Sequence, residues 1–192
     1  MDKRVRILLF SLMAVVQLGA LAWMIRDHEQ VLETGRVYRF RTEPIDPRDP
    51  FRGEYVVLNF AAQDGLWPIP DSTAQHAYAW LAEDSAGYAY IAALRMEPPT
   101  DGSDHLHVAF GNWGGDTVHR VELPFDRFYL EEGDGAATEQ LLQPVWEADT
   151  LIQPLPAHAV VRVYTGEAVI EDLVVDGRSI HTWLNEVAPT SP

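Results

Sequence analysis

The chain has no cysteine. That excludes disulfides, a thiolate nucleophile, thiolate metal sites and lipid attached to an N-terminal cysteine. Lysine is nearly as scarce, since Lys3 is the single one in 192 residues. A serine nucleophile activated by lysine therefore has no base anywhere downstream of it. Basic residues as a whole number 14 against 29 acidic ones, and they are unevenly spread. Residues 1–26 carry +3, with Lys3, Arg4, Arg6 and Arg26 against Asp2, so the formal −15 of the chain leaves −18 on the rest. Such a surface is repelled by nucleic acid and by anionic headgroups, which removes nucleic acid from the expected partners. Acidity by itself reads as solubility. Internal repeats and low-complexity tracts are also missing, and nothing in the composition specifies a cofactor.

What is present begins with a run of 19 uncharged residues, "ILLFSLMAVVQLGALAWMI" at 7–25. As a helix it reaches about 28 Å, close to the roughly 30 Å hydrocarbon core of a bilayer. The preceding Lys3, Arg4 and Arg6 keep the N-terminus in the cytoplasm under the positive-inside rule and send the remainder across. The competing reading is a cleavable signal peptide, because Ala20-Leu21-Ala22 has the small-x-small form of a cleavage site. Run length favours a retained anchor, and Trp23 and Met24 continue the apolar stretch past the cut. "RDHEQVLETG" reads as helix leaving the bilayer, with Gly35 placed to end it. The expectation is a single-pass protein of the cytoplasmic (inner) membrane with an extracytoplasmic, periplasmic domain. Residues 1–33 form the tip, anchor and helical extension, 34–188 a β-rich domain, and 189–192 a flexible tail.

Beyond Gly35 the apolar period changes from helical to two. "VYRFR" at 37–41 alternates, and "YVVLNF" at 55–60 is rich in strand formers. Residues 77–84 and 87–96 flank a Ser85-Ala86-Gly87 turn as a hairpin. A second hairpin is expected between 105–110 and 116–123 around Gly114-Gly115, and a third around Thr165-Gly166, with Asp176-Gly177 turning the chain again. One short helix is expected in "GAATEQLLQPVW" at 135–146, where Pro144 limits its length. The predicted fold is mainly β, an antiparallel sandwich or partly closed barrel with one short helix behind a single transmembrane helix.

The densest cluster of charge and stiffness is "DPRDPFRGEY" at 46–55. Pro47 and Pro50 fix their own φ and push Asp46 and Asp49 into extended backbone beside Arg48 and Arg52. Gly53 permits a bulge or close approach before the strand, on which Tyr55, Val57 and Asn59 face one way and Val56, Leu58 and Phe60 the other. A rigid corner tied by Asp–Arg pairs explains this cluster; so does a preorganised binding surface. The stretch "DPRDPFRGEYVVLNF" resembles the signature of the GDYXXLXY family of bacterial membrane-anchored proteins. "FDRFYLEEGDG" at 125–135 with Glu139, and "GEAVIEDLVVDGR" at 166–178, are similar to two further segments of that family. Glu54 stands where the family has Asp, and Phe60 where it has the final Tyr. The first keeps the charge on a longer arm and the second removes a hydroxyl. The resemblance implies a short anchor, an extracytoplasmic β-rich domain and polytopic membrane proteins as neighbours, and it implies no known activity.

Each catalytic constellation in the chain has a plainer reading. The serines beyond the anchor (Ser72, Ser85, Ser103, Ser179, Ser191) lack a G-x-S-x-G setting. His105 and His107 form H-x-H on a strand, projecting from one face as metal ligands do, but no third ligand follows from spacing and surface histidines fit as well. Glu131, Glu132, Asp134 and Glu139 gather around Gly133 and Gly135 without the spacing of a calcium loop. An acidic loop entering a helix is the plainer account. Gln17 is a lone amide within the apolar run, costly in hydrocarbon unless another helix satisfies it. The expectation is a non-enzymatic accessory serving a polytopic membrane partner through Asp46, Arg48, Asp49, Arg52, Gly53, Glu54, Tyr55, Leu58 and Phe60. The alternative is a carboxylate- or metal-dependent envelope hydrolase.

Overall fold

The structure, a computed structural model, describes residues 2–43, 55–69, 73–111, 116–142, 145–147, 150–152 and 154–187. Helix α1 spans Lys3–Thr34, and after Gly35 the chain enters strand β1 (Arg36–Glu43) directly. There follow β2 (Tyr55–Val57), β3 (Asn59–Phe60), a 3-10 turn (Ala61–Gln63), β4 (Asp64–Pro68), β5 (His76–Glu83), β6 (Ala89–Arg95), β7 (His105–Ala109), β8 (Thr117–Arg120) and β9 (Arg127–Tyr129). Helix α2 (Gly135–Leu142) precedes β10 (Val145–Glu147), β11 (Thr150–Ile152), β12 (Ala157–Tyr164), β13 (Glu167–Val175), β14 (Arg178–Ser179) and helix α3 (Ile180–Val187).

Every ladder is antiparallel. A five-stranded sheet has the order β14-β13-β12-β1-β3 and a three-stranded sheet the order β6-β5-β7, with two-stranded ladders β2–β9, β4–β8 and β10–β11. Alternation puts Tyr38 and Phe40 of β1, Ala159, Val161 and Val163 of β12, and Leu173 and Val175 of β13 into the core. From the smaller sheet Ala77, Ala79, Leu106 and Val108 enter the same core, so the sheets share one apolar interior. Among the described residues no ladder closes a barrel. Phe40, Phe60 and Phe125 meet edge-on at centroid distances of 5.2 to 6.0 Å in the middle of it.

The local hairpins form as their turns dictate. β5 and β6 pair across the Ser85-Ala86-Gly87 turn, where the Asp84 carboxylate accepts from the Ala86 and Tyr88 amides. β12 and β13 close on Thr165 and Gly166, both at positive φ, a two-residue turn whose twist matches the strands. Asp176 and Gly177, again at positive φ, turn β13 into β14.

Three expectations are corrected. Segments 105–110 and 116–123 do not form a hairpin ladder: β7 pairs with β5 and β8 with β4, leaving only an isolated Ala109–Glu122 bridge between them. The reason is burial, since Leu106 and Val108 find Ala79 and Ala77 across β5 while Val118 finds Trp67 on β4. The run 55–60 is one extended stretch shared by two ladders, β2 with β9 and β3 with β1, divided at Leu58. Finally, among the described residues there are two short α-helices where one is expected; α3 lies in "IHTWLNEV", where Ile180 and Leu184, four apart, are buried.

Helix α1 is long and apolar enough to cross a membrane. Residues 2–26 are solvent-facing save the half-buried Ala14, and burial begins at Val31, 4% exposed, where the last turn lands on the domain. Gly35 ends the helix in extended backbone, φ −63° and ψ 142°, with its N–H bonded to the Val31 carbonyl at 2.9 Å. Close approach demands the glycine: a Cβ would run into the Val31 carbonyl oxygen and lie 3.2 Å from the Arg162 Cβ and the Val163 oxygen.

Candidate functional site

The strand that carries Tyr55 finds its partner seventy residues further on. Tyr55 lies opposite Tyr129, Val56 opposite Phe128 and Val57 opposite Arg127. The rings of Tyr55 and Tyr129 are 5.9 Å apart, and the Arg127 guanidinium stands 5.4 Å from the Tyr55 ring. The Leu58 N–H donates to the Asp126 carbonyl at 2.7 Å, extending the zipper. Two stretches singled out separately in the sequence, 46–60 and 125–135, therefore meet in one ladder.

That ladder forms one wall of an open groove of about 550 Å3. Its other walls are β13 (Ala168 to Glu171), His181 of α3 and His28 of α1. Phe125 lines it too and belongs to the central aromatic trio, so the groove floor is core. Phe128 packs behind at 5.9 Å from the His181 ring, and Tyr129 stays 70% exposed at the rim. Asp126, Arg127 and Glu171 supply the charge, with Asp126 3.7 Å from Arg127.

Within two turns above His28 the helix is held fast. Arg162 on β12 clamps Glu171 of β13 through two hydrogen bonds of 2.8 and 3.2 Å and donates a third, at 3.4 Å, to the Gly35 carbonyl. Gln30 reaches the Tyr164 hydroxyl at 3.5 Å, and the Thr34 hydroxyl donates back to the Gln30 carbonyl at 2.6 Å. Just beyond, Tyr38 is 3% exposed and donates to Asp104 at 2.9 Å beneath the Arg36 guanidinium. Burial pushes its phenol above the usual tyrosine range, and the Asp104 hydrogen bond and charge add to that. On the far side of β12, burial holds the His158 imidazolium below the usual histidine range, helped by the Arg39 charge.

The residues singled out from sequence fall in several places. Asp46, Arg48, Asp49, Arg52, Gly53 and Glu54 lie outside the described residues. Tyr55 sits beside the groove wall, while Leu58 and Phe60 are buried, Phe60 fully, in the apolar interior where a tyrosine hydroxyl would need a partner. Glu131 and Glu132 are exposed just past β9, Gly133 takes φ +106°, and Asp134 accepts at its carbonyl from the Thr138 amide as Gly135 begins α2. Glu139 is on α2, its side chain outside the described residues. His105 and His107 share the outer face of β7: His107 stacks on His76 at 5.6 Å and 9°, and Tyr78 meets both edge-on. Among the described residues no three His, Asp or Glu side chains group as metal ligands. Asp126, Arg127, Tyr129 and Glu171 of the groove lie within the stretches quoted for their family likeness, and His28 within the helical stretch 26–35, all without an assigned role; His181 lies in none of them.

The model of the GDYXXLXY protein family matches residues 17–173. The chain belongs to that family. The matched span takes in the Gly53–Phe60 signature, the 125–135 segment and the groove walls on β9 and β13. No curated protein and no solved structure matches the chain.

Proposed function

We propose that this GDYXXLXY protein is a non-enzymatic accessory of the cytoplasmic membrane: α1 spans the bilayer with its N-terminus inside, and the β domain stands outside and engages a polytopic membrane protein. The observation that carries the reading is the joint, where a helix long enough to span runs into a sheet through one residue, Gly35, with an open groove beside it. His28 is three residues beyond the apolar run, about 5 Å along a helix, which sets the groove at headgroup height. An occupant of that groove is therefore itself at the membrane surface. The hydrolase alternative rests on Glu131, Glu132, Asp134 and the His105/His107 pair, none of which lines the groove.

The test is in-membrane crosslinking of the tagged full chain followed by affinity purification. A membrane protein recovered at constant stoichiometry supports the proposal. Recovery of the chain alone, or a mature protein starting at Trp23 and free of membrane, overturns it.

A further inference from the structure

Gln17 lies one residue past the middle of the apolar run 7–25, and among the described residues its amide has no hydrogen-bond partner. His28 follows 11 residues later, very close to the 10.8 residues of three helical turns. Gln17 and the His28 wall of the groove thus stand on one line along α1, with Met24 between them. Val31, 14 residues from Gln17 and just short of four turns, is buried against the domain. The domain accordingly overhangs the Gln17 side of the helix, and the clamp of Arg162 on Gly35 and Glu171 holds that phase. Leu8, Val15 and Ala22 are about half a turn away, on the side where the exposed Gln30 reaches Tyr164 at 3.5 Å, whereas the Gln17 side meets the buried Val31 and the groove.

We propose that the Gln17 face of α1 and the groove beside His28 are a single track for one transmembrane helix of a partner protein, whose outer, basic end lies in the groove. This rests on the accessory reading and names the surface it uses. An unpaired amide at mid-bilayer is satisfied by a polar group on an adjacent helix. A helix laid against Gln17 rises directly beneath the domain, and the groove is where its end arrives. The occupant's charge follows from the −18 carried beyond residue 26, since Asp126 and Glu171 in the groove are offset by Arg127 and by the Arg162 clamp. A second copy of this chain would set two such domains side by side, and anionic lipid would meet the same repulsion.

The experiment places a photo-crosslinking residue, in separate full-length variants that keep Gln17, at Leu21, Met24, Tyr129, Leu8 or Val15, and irradiates native membranes. The proposal expects positions 21, 24 and 129 to trap the same integral membrane polypeptide, the attached peptide mapping to one spanning helix with Lys or Arg at its outer end. Positions 8 and 15 trap little of it. Gln17→Leu lowers the yield at position 129 by roughly 3- to 10-fold, the scale of one interhelical hydrogen bond. Equal trapping from both faces, different polypeptides at 21 and 129, adducts to a second copy, or adducts to lipid alone each overturn the track. A partner that co-purifies yet crosslinks from Val15 defeats only this inference, whereas the absence of any co-purifying partner defeats the accessory reading beneath it.

Discussion

Val31 and His28 stand one turn apart on the same helix and meet the domain in opposite ways. Val31 is buried against the five-stranded sheet, next to a glycine that admits no side chain. His28 borders about 550 Å3 of open space. Loose attachment would leave both half-covered. The contrast shows instead a gap with fixed walls: the joint is clamped by Arg162, and the floor of the groove is an edge of the aromatic core at Phe125. The closed side exists to hold a geometry, and the open side is what that geometry offers.

Five substitutions break or sharpen this contrast, each read by urea or thermal unfolding of the full chain in detergent. The largest effect is expected from Phe40→Ala, which leaves a hole between Phe60 and Phe125 and costs about 3–5 kcal/mol. A loss under 1 kcal/mol would mean the groove floor is pliable. Gly35→Val comes next at about 1–3 kcal/mol, because a branched side chain must displace the Val31 carbonyl or β12. An unchanged midpoint would make the joint looser than its contacts imply.

Tyr38→Phe, beside the joint, removes a hydrogen bond to a carboxylate and costs about 1.5 kcal/mol. It also tests a pH dependence. The native phenol keeps its proton above pH ~10, where an unfolded tyrosine ionises, so this stabilisation is complete below that pH and declines as pH rises past it. The wild-type chain should therefore lose stability in that alkaline range faster than the phenylalanine variant; parallel curves would contradict the assignment. The smallest effects are expected on the open side, where His28→Ala and His181→Ala each stay within about 0.5 kcal/mol. A larger cost at either would close the groove into the core and end its claim as a free surface.

Much of the fold was legible because it is local. The length of the apolar run, the helix running on to Gly35, the Ser85-Ala86-Gly87 turn, the Thr165-Gly166 and Asp176-Gly177 turns and the 135–142 helix depend on neighbours within a few residues. The paired burial of Val56, Leu58 and Phe60 likewise follows from a two-residue period. Errors arose where strands chose partners. β7 and β8 look like a hairpin because they are adjacent in sequence, yet each buries its apolar face better elsewhere. The candidate site suffered most. Tyr55 and Tyr129 lie seventy-four residues apart, and nothing in either stretch specifies the other. His28 belonged to an apparent helical spacer, Glu171 to a strand and family-like segment that gave it no role, and His181 to a stretch with no expected element.

From its own residues the chain determined an uncharged spanning-length helix, an acidic remainder and an alternation that can only be sheet, because hydrophobic length, net charge and period are sums over neighbours. Which strands zip together, and that the groove opens on the line of Gln17, were decided in three dimensions. Shared burial selects among pairings that are equivalent in sequence, and one glycine at the helix end sets the angle at which the two parts meet.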